Sequence, residues 1–263
     1  MKHGVFVAPF GQLADPHKLV DLAATAEESG WDGVFLWDHV LRPESNEIVD
    51  TWVALGAMAA ATDRIRIGPM VTPVPRRRPI KLAREILTVD LMSDGRLTVG
   101  VGSGTDSGGE LSRFDEIVDG RARGARLEEG LDIIARLLEG ETLAHLGEHF
   151  RVDGVSLEPR PAQQPRPPIW CAARGSATKP VRRAARYDGM FPIDVDEASF
   201  HTMLETVADE RGSLDGFDVC LRTDYDGAAP AFAEDGATWL LRAFRPVVEH
   251  KTVFAAVVHG PPV

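Results

Sequence analysis

Residues 26–39 read Ala-Glu-Glu-Ser-Gly-Trp-Asp-Gly-Val-Phe-Leu-Trp-Asp-His, and this stretch decides the fold class. Ala26 closes a helical pattern, Gly30 stops it, and Gly33 to Trp37 form a short apolar run bounded by turn residues. Asp38 and His39 follow at the end of that run. Working upstream, Asp15-Pro16 is a start signal, an N-cap residue with proline at the first helical position. Leu19, Val20, Leu22, Ala23 and Ala26 then recur at helical spacing. Gly4 to Ala8, ending at Pro9, is an earlier apolar run. Strand, helix and strand in this order make a βαβ unit, which places the two strands parallel and side by side.

The rhythm continues downstream. Asp50-Thr51 caps an alanine-dense helix to about Ala61, Arg64 to Gly68 read as a third strand, and Ile80 to Met92 as a helix. Asp94-Gly95 turns into a fourth strand, Arg96 to Val101, and an amphipathic helix covers about Arg121 to Glu139. Residues 143–158 read as two short antiparallel strands around Gly147, followed by a proline-rich connector, Pro159 to Pro168. Alternation then resumes, with strands at 168–172, 189–191, 217–221 and 237–241 and helices at 176–186, 197–211 and 246–258. A seventh helix has only Ala228 to Asp235 to occupy. The reading is an α/β chain forming one (β/α)8 TIM barrel over residues 1–263, with a short antiparallel hairpin inserted between strands four and five.

Composition bounds the function. The 263 residues are 44% apolar and 26% charged, ordinary for a globular protein, with a formal charge of -11. That charge argues against nucleic acid and against an anionic membrane surface as partners. No apolar run reaches the roughly 20 residues of a membrane span, and the N-terminal stretch reads as no signal peptide. The two cysteines, Cys171 and Cys220, are too few for a disulfide framework, so a cytoplasmic protein with reduced thiols is expected.

In a TIM barrel the chemistry sits at the C-terminal ends of the strands. The corresponding windows hold Phe10 after strand one, Asp38-His39 after strand two, Met70-Val71-Thr72 after strand three, Gly102-Ser103-Gly104 after strand four and Ala173 to Thr178 after strand five. His39 is the candidate for proton transfer, because imidazole exchanges a proton near neutral pH. The alternative is a structural histidine. Asp38 is a candidate beside it, although adjacent strand residues point to opposite faces. Arg174, Gly175, Ser176 and Thr178 lead into a helix and suit a phosphate, or else form an ordinary cap with a surface arginine. The glycines of strand four lack a Rossmann spacing and read as allowing close approach of a ligand. Arg76-Arg77-Arg78 reads as a solvated loop face, with the holding of an anionic cofactor tail as the lesser reading. His145 and His149 straddle a turn with no converging carboxylates, so no metal site is assigned.

Four segments together carry a resemblance: AEESGWDGVFLWDH (26–39), WVALGAMAAATDRIRIGPMVTPVPRRRPIKLARE (52–85), DLMSDGRLTVGVGSG (90–104) and PIWCAARGSATKPVRRAARYDGMF (168–191). The sequence resembles the luciferase-like flavin-dependent oxidoreductases, a family that includes bacterial luciferase and the coenzyme F420-dependent reductases. The resemblance implies a barrel with a flavin or deazaflavin at its mouth. His39 matches the active-site histidine, and Gly68 to Thr72 match a bulge, often with a non-proline cis peptide, that supports the cofactor ring. Gly102-Ser103-Gly104 and Arg174-Gly175-Ser176 with Thr178 match the phosphate-side contacts.

Two departures narrow the expectation. Relatives acting on sugar phosphates carry a glutamate where this chain has Thr105, which speaks against that substrate class. The chain also has little room near strand seven for a mobile covering insertion, unless 104–120 supplies one. Family breadth puts a monooxygenase using reduced FMN and dioxygen on a small organic substrate first, fed by a separate flavin reductase. An F420-dependent hydride-transfer enzyme is the alternative. A non-catalytic flavin-binding protein and a metal-dependent hydrolase using Asp38 and His39 are the other classes. A homodimer is expected from the resemblance.

Overall fold

The computed structural model describes residues 1–175 and 177–261; Ser176, one of the predicted phosphate contacts, lies outside them. The strands are β1 (Lys2–Val7), β2 (Gly33–Leu36), β3 (Arg66–Pro69), β4 (Thr72–Pro73), β5 (Val99–Gly102), β6 (Leu143–Leu146), β7 (Arg151–Val155), β8 (Ile169–Arg174), β9 (Gly189–Ile193), β10 (Asp218–Asp224) and β11 (Trp239–Ala243). The helices are α1 (Pro16–Glu28), α2 (Thr51–Ala61), α3 (Pro79–Met92), α4 (Gly120–Leu138), α5 (Thr178–Ala184), α6 (Glu197–Arg211) and α7 (His250–Val257).

Parallel pairing runs through one sheet in the order β3-β2-β1-β11-β10-β9-β8-β5-β4. β3 and β4 are two halves of one barrel strand, broken at Met70-Val71. β3 pairs with β2 on one side and β4 with β5 on the other. The ring closes where Thr98 N donates to Ile67 O at 2.9 Å and Ile67 N to Arg96 O at 3.2 Å. Gly68 sits in this seam, and a Cβ there would lie 1.9 Å from the Thr98 carbonyl oxygen. β6 and β7 form the separate antiparallel hairpin expected between barrel strands four and five.

Local chemistry explains the element ends. Asp15, Asp50, Asp119 and Asp196 each accept a backbone N–H of the first turn of α1, α2, α4 and α6, satisfying donors a helix start leaves open. At the far end of α1, Glu27 accepts the N–H groups of Asp63, Arg64 and Ile65, with Arg64 N at 2.6 Å and Ile65 N at 2.7 Å. Burial raises the Glu27 carboxyl, but these bonds outweigh it and hold the group below the ordinary carboxylate range. The proline-rich connector is tied beneath the barrel, where Gln163 binds the buried Asp90 carboxylate and Leu97 O.

Alternation sorts the strand side chains into two layers. Val5, Val7, Val34, Leu36, Cys171 and Val219 face the helices, while Phe6, Phe35, Trp170, Phe191, Cys220, Trp239 and Leu241 fill the barrel. Phe35, Trp170 and Trp239 pack with centroid separations of 5.8, 5.7 and 5.5 Å. Glycines on adjacent strands make the room. A Cβ at Gly33 would come within 2.7 Å of the Phe35 ring, and one at Gly189 within 2.5 Å of Trp170.

Four expectations are corrected. The seventh helix is a short 3₁₀ helix, Ala231–Asp235, bounded by Pro230 before it and by Gly236 at φ +155 after it. Strand three, read as Arg64 to Gly68, begins later and continues past the break as β4. The helix after strand five ends at Ala184 rather than Arg186, and the last helix starts at His250 rather than residue 246. Among the described residues no helix is long and apolar enough to cross a membrane.

Candidate active site

The C-terminal mouth of the barrel holds a cleft of about 540 Å³. Its floor and walls come from the upper ends of the inward-facing rows: Phe6 from β1, Ala172 from β8, Phe191 and Ile193 from β9 and Arg222 from β10, with Trp37 just after β2. The strand-three break supplies Met70 and Val71 as one wall, and the peptide bond between them is cis. Ser103, Gly104 and Thr105 line the cleft after β5, and Arg174, Pro180 and Arg183 come from the β8–α5 unit. Arg183 is buried at 6% exposure and donates to Glu128 through Nη2 at 3.1 Å, yet its Nε has no partner among the described residues. The Trp37 indole N–H is in the same condition.

His39 lies at the cleft edge between two rings, with centroids 6.0 Å from Phe10 and 5.8 Å from Trp37. Its Nδ1 is 2.7 Å from Oε1 of Glu110, a carboxylate only 1% exposed. Oε2 of Glu110 accepts from Arg76 Nη1 at 3.0 Å and from Val40 N at 3.3 Å. Arg76 also spans to Asp38, Nη2 to Oδ1 at 3.0 Å. Asp38 in turn takes Arg77 Nη2 at 3.0 Å and the Thr72 hydroxyl at 2.8 Å. Two buried carboxylates and two guanidinium groups thus neutralise one another beneath the histidine. Each of the four carboxylate oxygens has at least one donor, which is what such a buried network needs.

Seven of the predicted site residues line the cleft: His39, Met70, Val71, Gly102, Ser103, Gly104 and Arg174. Others are placed differently. Asp38 is 3% exposed and faces Arg76 and Arg77, so it neither reaches the cleft nor orients His39. Phe10 and Thr72 are buried behind the wall: Phe10 packs edge-on to His39, and Thr72 bridges the Trp52 indole and Asp38. Ala173 points to the helix layer. Gly175 stands in the turn before α5 with φ +55, and Thr178 is exposed at the start of that helix. The Arg174 charge pairs with Asp194.

The strand-four glycines serve the bulge before any ligand. A Cβ at Gly100 would meet Pro69 O at 2.4 Å, and one at Gly102 would meet Val71 Cγ2 at 2.8 Å. Of the arginine run only Arg78 is exposed; the Arg76 and Arg77 side chains are 8% and 18% exposed against buried carboxylates, so the reading as a solvated face fails for these two. Glu110 escaped the sequence reading altogether. It lies six positions past Gly104 in a segment with no periodicity, and only the long-range fold brings it to His39.

The family model described as luciferase-like monooxygenase matches residues 1–225. The F420-dependent glucose-6-phosphate dehydrogenase of Nakamurella multipartita is 32% identical over 243 residues, covering 88% of this chain and 70% of that protein. The oxygenase component of the flavin-dependent trigonelline monooxygenase of Acinetobacter baylyi is 31% identical, over 62% of this chain and 48% of that protein. The chain spans about half the length of several further relatives, 48% in a second glucose-6-phosphate dehydrogenase, from Microbacterium testaceum. Among solved structures, a monooxygenase from Streptomyces bottropensis superposes with TM-score 0.74 at 26% identity, covering 86% of this chain and 73% of that one. An F420-dependent secondary alcohol dehydrogenase also gives TM-score 0.74, at 22% identity, over 86% of this chain and 70% of that chain. With the barrel, the broken third strand and the cleft histidine all in place, the chain belongs to the luciferase-like monooxygenase family.

Proposed function

We propose that the chain is a flavin-type oxidoreductase that binds coenzyme F420 or FMN in the mouth cleft and uses His39 for proton transfer to a small organic substrate. The observation that carries this reading is the cleft itself. Its volume is in the range of small-molecule sites, the Met70-Val71 break forms one wall, and Arg183, whose Nε–H has no partner among the described residues, lines it. These features fit a flat ring with an anionic tail. Met70 and Val71 would hold the ring face, and Ser103, Gly104, Arg174 and Arg183 the phosphate side.

When bound, F420 supplies hydride transfer, and reduced FMN with dioxygen supplies oxygenation. We favour hydride transfer, because the β10–β11 connection reaches the cleft through Pro230 and Phe232 but holds only a short 3₁₀ helix, with little room for a mobile insertion that would exclude water. The FMN reading keeps a specific support in the trigonelline monooxygenase relative, and it would require a separate flavin reductase. In either case His39 holds or accepts a proton at the cleft edge, Phe10 and Trp37 keep its ring upright, and the apolar walls shield the reacting face. Thr105 lines the cleft where an acid would serve a sugar phosphate, so alcohols, imines and enones are the substrates to screen. A homodimer through the α2–α3 face, where Val53, Ile80 and Met92 are exposed, belongs to the same reading, and sedimentation measures it.

Anaerobic fluorescence titration with oxidised and reduced FMN and F420 tests the proposal. Selective F420 binding is expected. His39→Ala should abolish turnover while keeping cofactor affinity within about tenfold, since general acid–base catalysis is worth about 100-fold or more. Binding of neither cofactor would overturn the assignment.

A further inference from the structure

The buried carboxylate of Glu110 does more than close an ion-pair network. An ionised carboxylate can only accept hydrogen bonds, so the 2.7 Å contact from its Oε1 requires a proton on His39 Nδ1. Oε2 is occupied by Arg76 and the Val40 N–H. Charges match one to one in this network: Arg76 with Glu110, Arg77 with Asp38, and Lys81 with Glu85, which Arg77 also meets at 3.4 Å. The remaining charged groups near the ring, Arg42 and Glu44, are paired with each other. His39 thus meets a single carboxylate oxygen, on its Nδ1 side. Its Nε2 has no hydrogen-bond partner among the described residues, and the residue lines the cleft.

We propose that Glu110 is the positioning residue for His39: it locks the neutral imidazole in the Nδ1–H form, so that Nε2 presents its lone pair to the cleft as the proton acceptor. Free imidazole in a histidine side chain favours the opposite form, with the proton on Nε2, so the lock has a measurable consequence. The catalytic meaning of this lock rests on the proposed role of His39, but the tautomer itself does not.

The test is the imidazole ¹⁵N spectrum of the ligand-free full chain at about pH 8, above the ordinary histidine range, with His39 assigned by its loss in His39→Asn. The wild type should show Nδ1 protonated and Nε2 bare. Glu110→Ala should move His39 to the Nε2–H form. Glu110→Gln, whose amide oxygen still accepts the Nδ1–H, should keep the wild-type pattern. A wild-type His39 carrying its proton on Nε2 would overturn the proposal without recourse to any variant. In turnover, Glu110→Ala should lower kcat about 100-fold and leave cofactor affinity unchanged, and Glu110→Gln should recover most of the loss. If His39→Ala loses turnover and Glu110→Ala switches the tautomer but keeps full kcat, the positioning role falls while the assignment of His39 stands. If His39→Ala itself keeps turnover, the proposed function falls and the spectrum still decides the tautomer.

Discussion

Replacing Arg76 by Met isolates what the buried network contributes. Met keeps most of the aliphatic volume, so the cavity term is small, and the loss falls on two carboxylates that are 3% and 1% exposed. They are not equally affected. Asp38 keeps Arg77 at 3.0 Å and the Thr72 hydroxyl at 2.8 Å and stays neutralised. Glu110 keeps the Val40 N–H and His39 but loses the only guanidinium within reach among the described residues. Breaking a buried pair by removing one partner costs about 3–5 kcal/mol. With one of the two carboxylates still paired, the low end applies, about 3 kcal/mol, or about 150-fold in the unfolding constant. Urea unfolding at neutral pH, followed through tryptophan fluorescence, reads it as a lower midpoint with the slope unchanged. The double variant Arg76→Met/Glu110→Gln removes the stranded charge and should regain more than half of the loss. A single-variant loss under about 1 kcal/mol, or a double variant less stable than the single one, would refute the view that Arg76 acts by neutralising Glu110.

Two further outcomes follow from other parts of the barrel. Gly68→Ala drives a Cβ to 1.9 Å from a backbone oxygen at the closing seam. Because that atom cannot rotate away, the cost should exceed the ~3 kcal/mol typical of overpacking; a melting temperature within about 2 °C of wild type, under ~1 kcal/mol, would show that the seam yields. Glu27→Gln tests the grip on the turn before β3. The folded carboxyl lies below its ordinary value of 4.5, so its stabilisation is complete above that pH and is lost as pH falls through the lower folded value. The variant should therefore cost about 1–3 kcal/mol at neutral pH and much less under strong acid, and an equal cost at both would contradict the charge-assisted bonds.

The architecture was readable because its determinants are local. Asp15-Pro16, Asp50-Thr51 and the apolar runs at 33–37 and 96–101 carry cap chemistry and period on their face, and the β/α order restricts the topology to a few choices. The same local signals placed His39 and Met70-Val71 at the mouth through the rule that strand ends hold the chemistry. They failed where a residue's environment is made by distant chain. Asp38 looked catalytic because it adjoins His39, but strand alternation turned it toward Arg77. Arg76 looked solvated because arginine runs usually are, and only folding brought two buried carboxylates to it. The glycines of β5 read as room for a ligand, whereas the nearest demand on them is the bulge in the neighbouring strand.

The break in strand three links these failures into one cause. Interrupting the strand at Met70-Val71 leaves β3 bound to β2 and β4 bound to β5, and sets Val74 to Arg76 as a 3₁₀ turn directly behind the cleft. That turn aims Arg76 inward, between Asp38 at the end of β2 and Glu110 in the segment after β5. The bulge thus does two things with one distortion: it exposes a flat apolar wall to the cleft, and it delivers the cation that allows a carboxylate to be buried against His39. A straight third strand would supply neither. The geometry of the proton-transfer group and the geometry of the ring-binding wall are consequently set by the same backbone departure, and a change that straightens it, such as a larger residue at Gly100, should disturb both together.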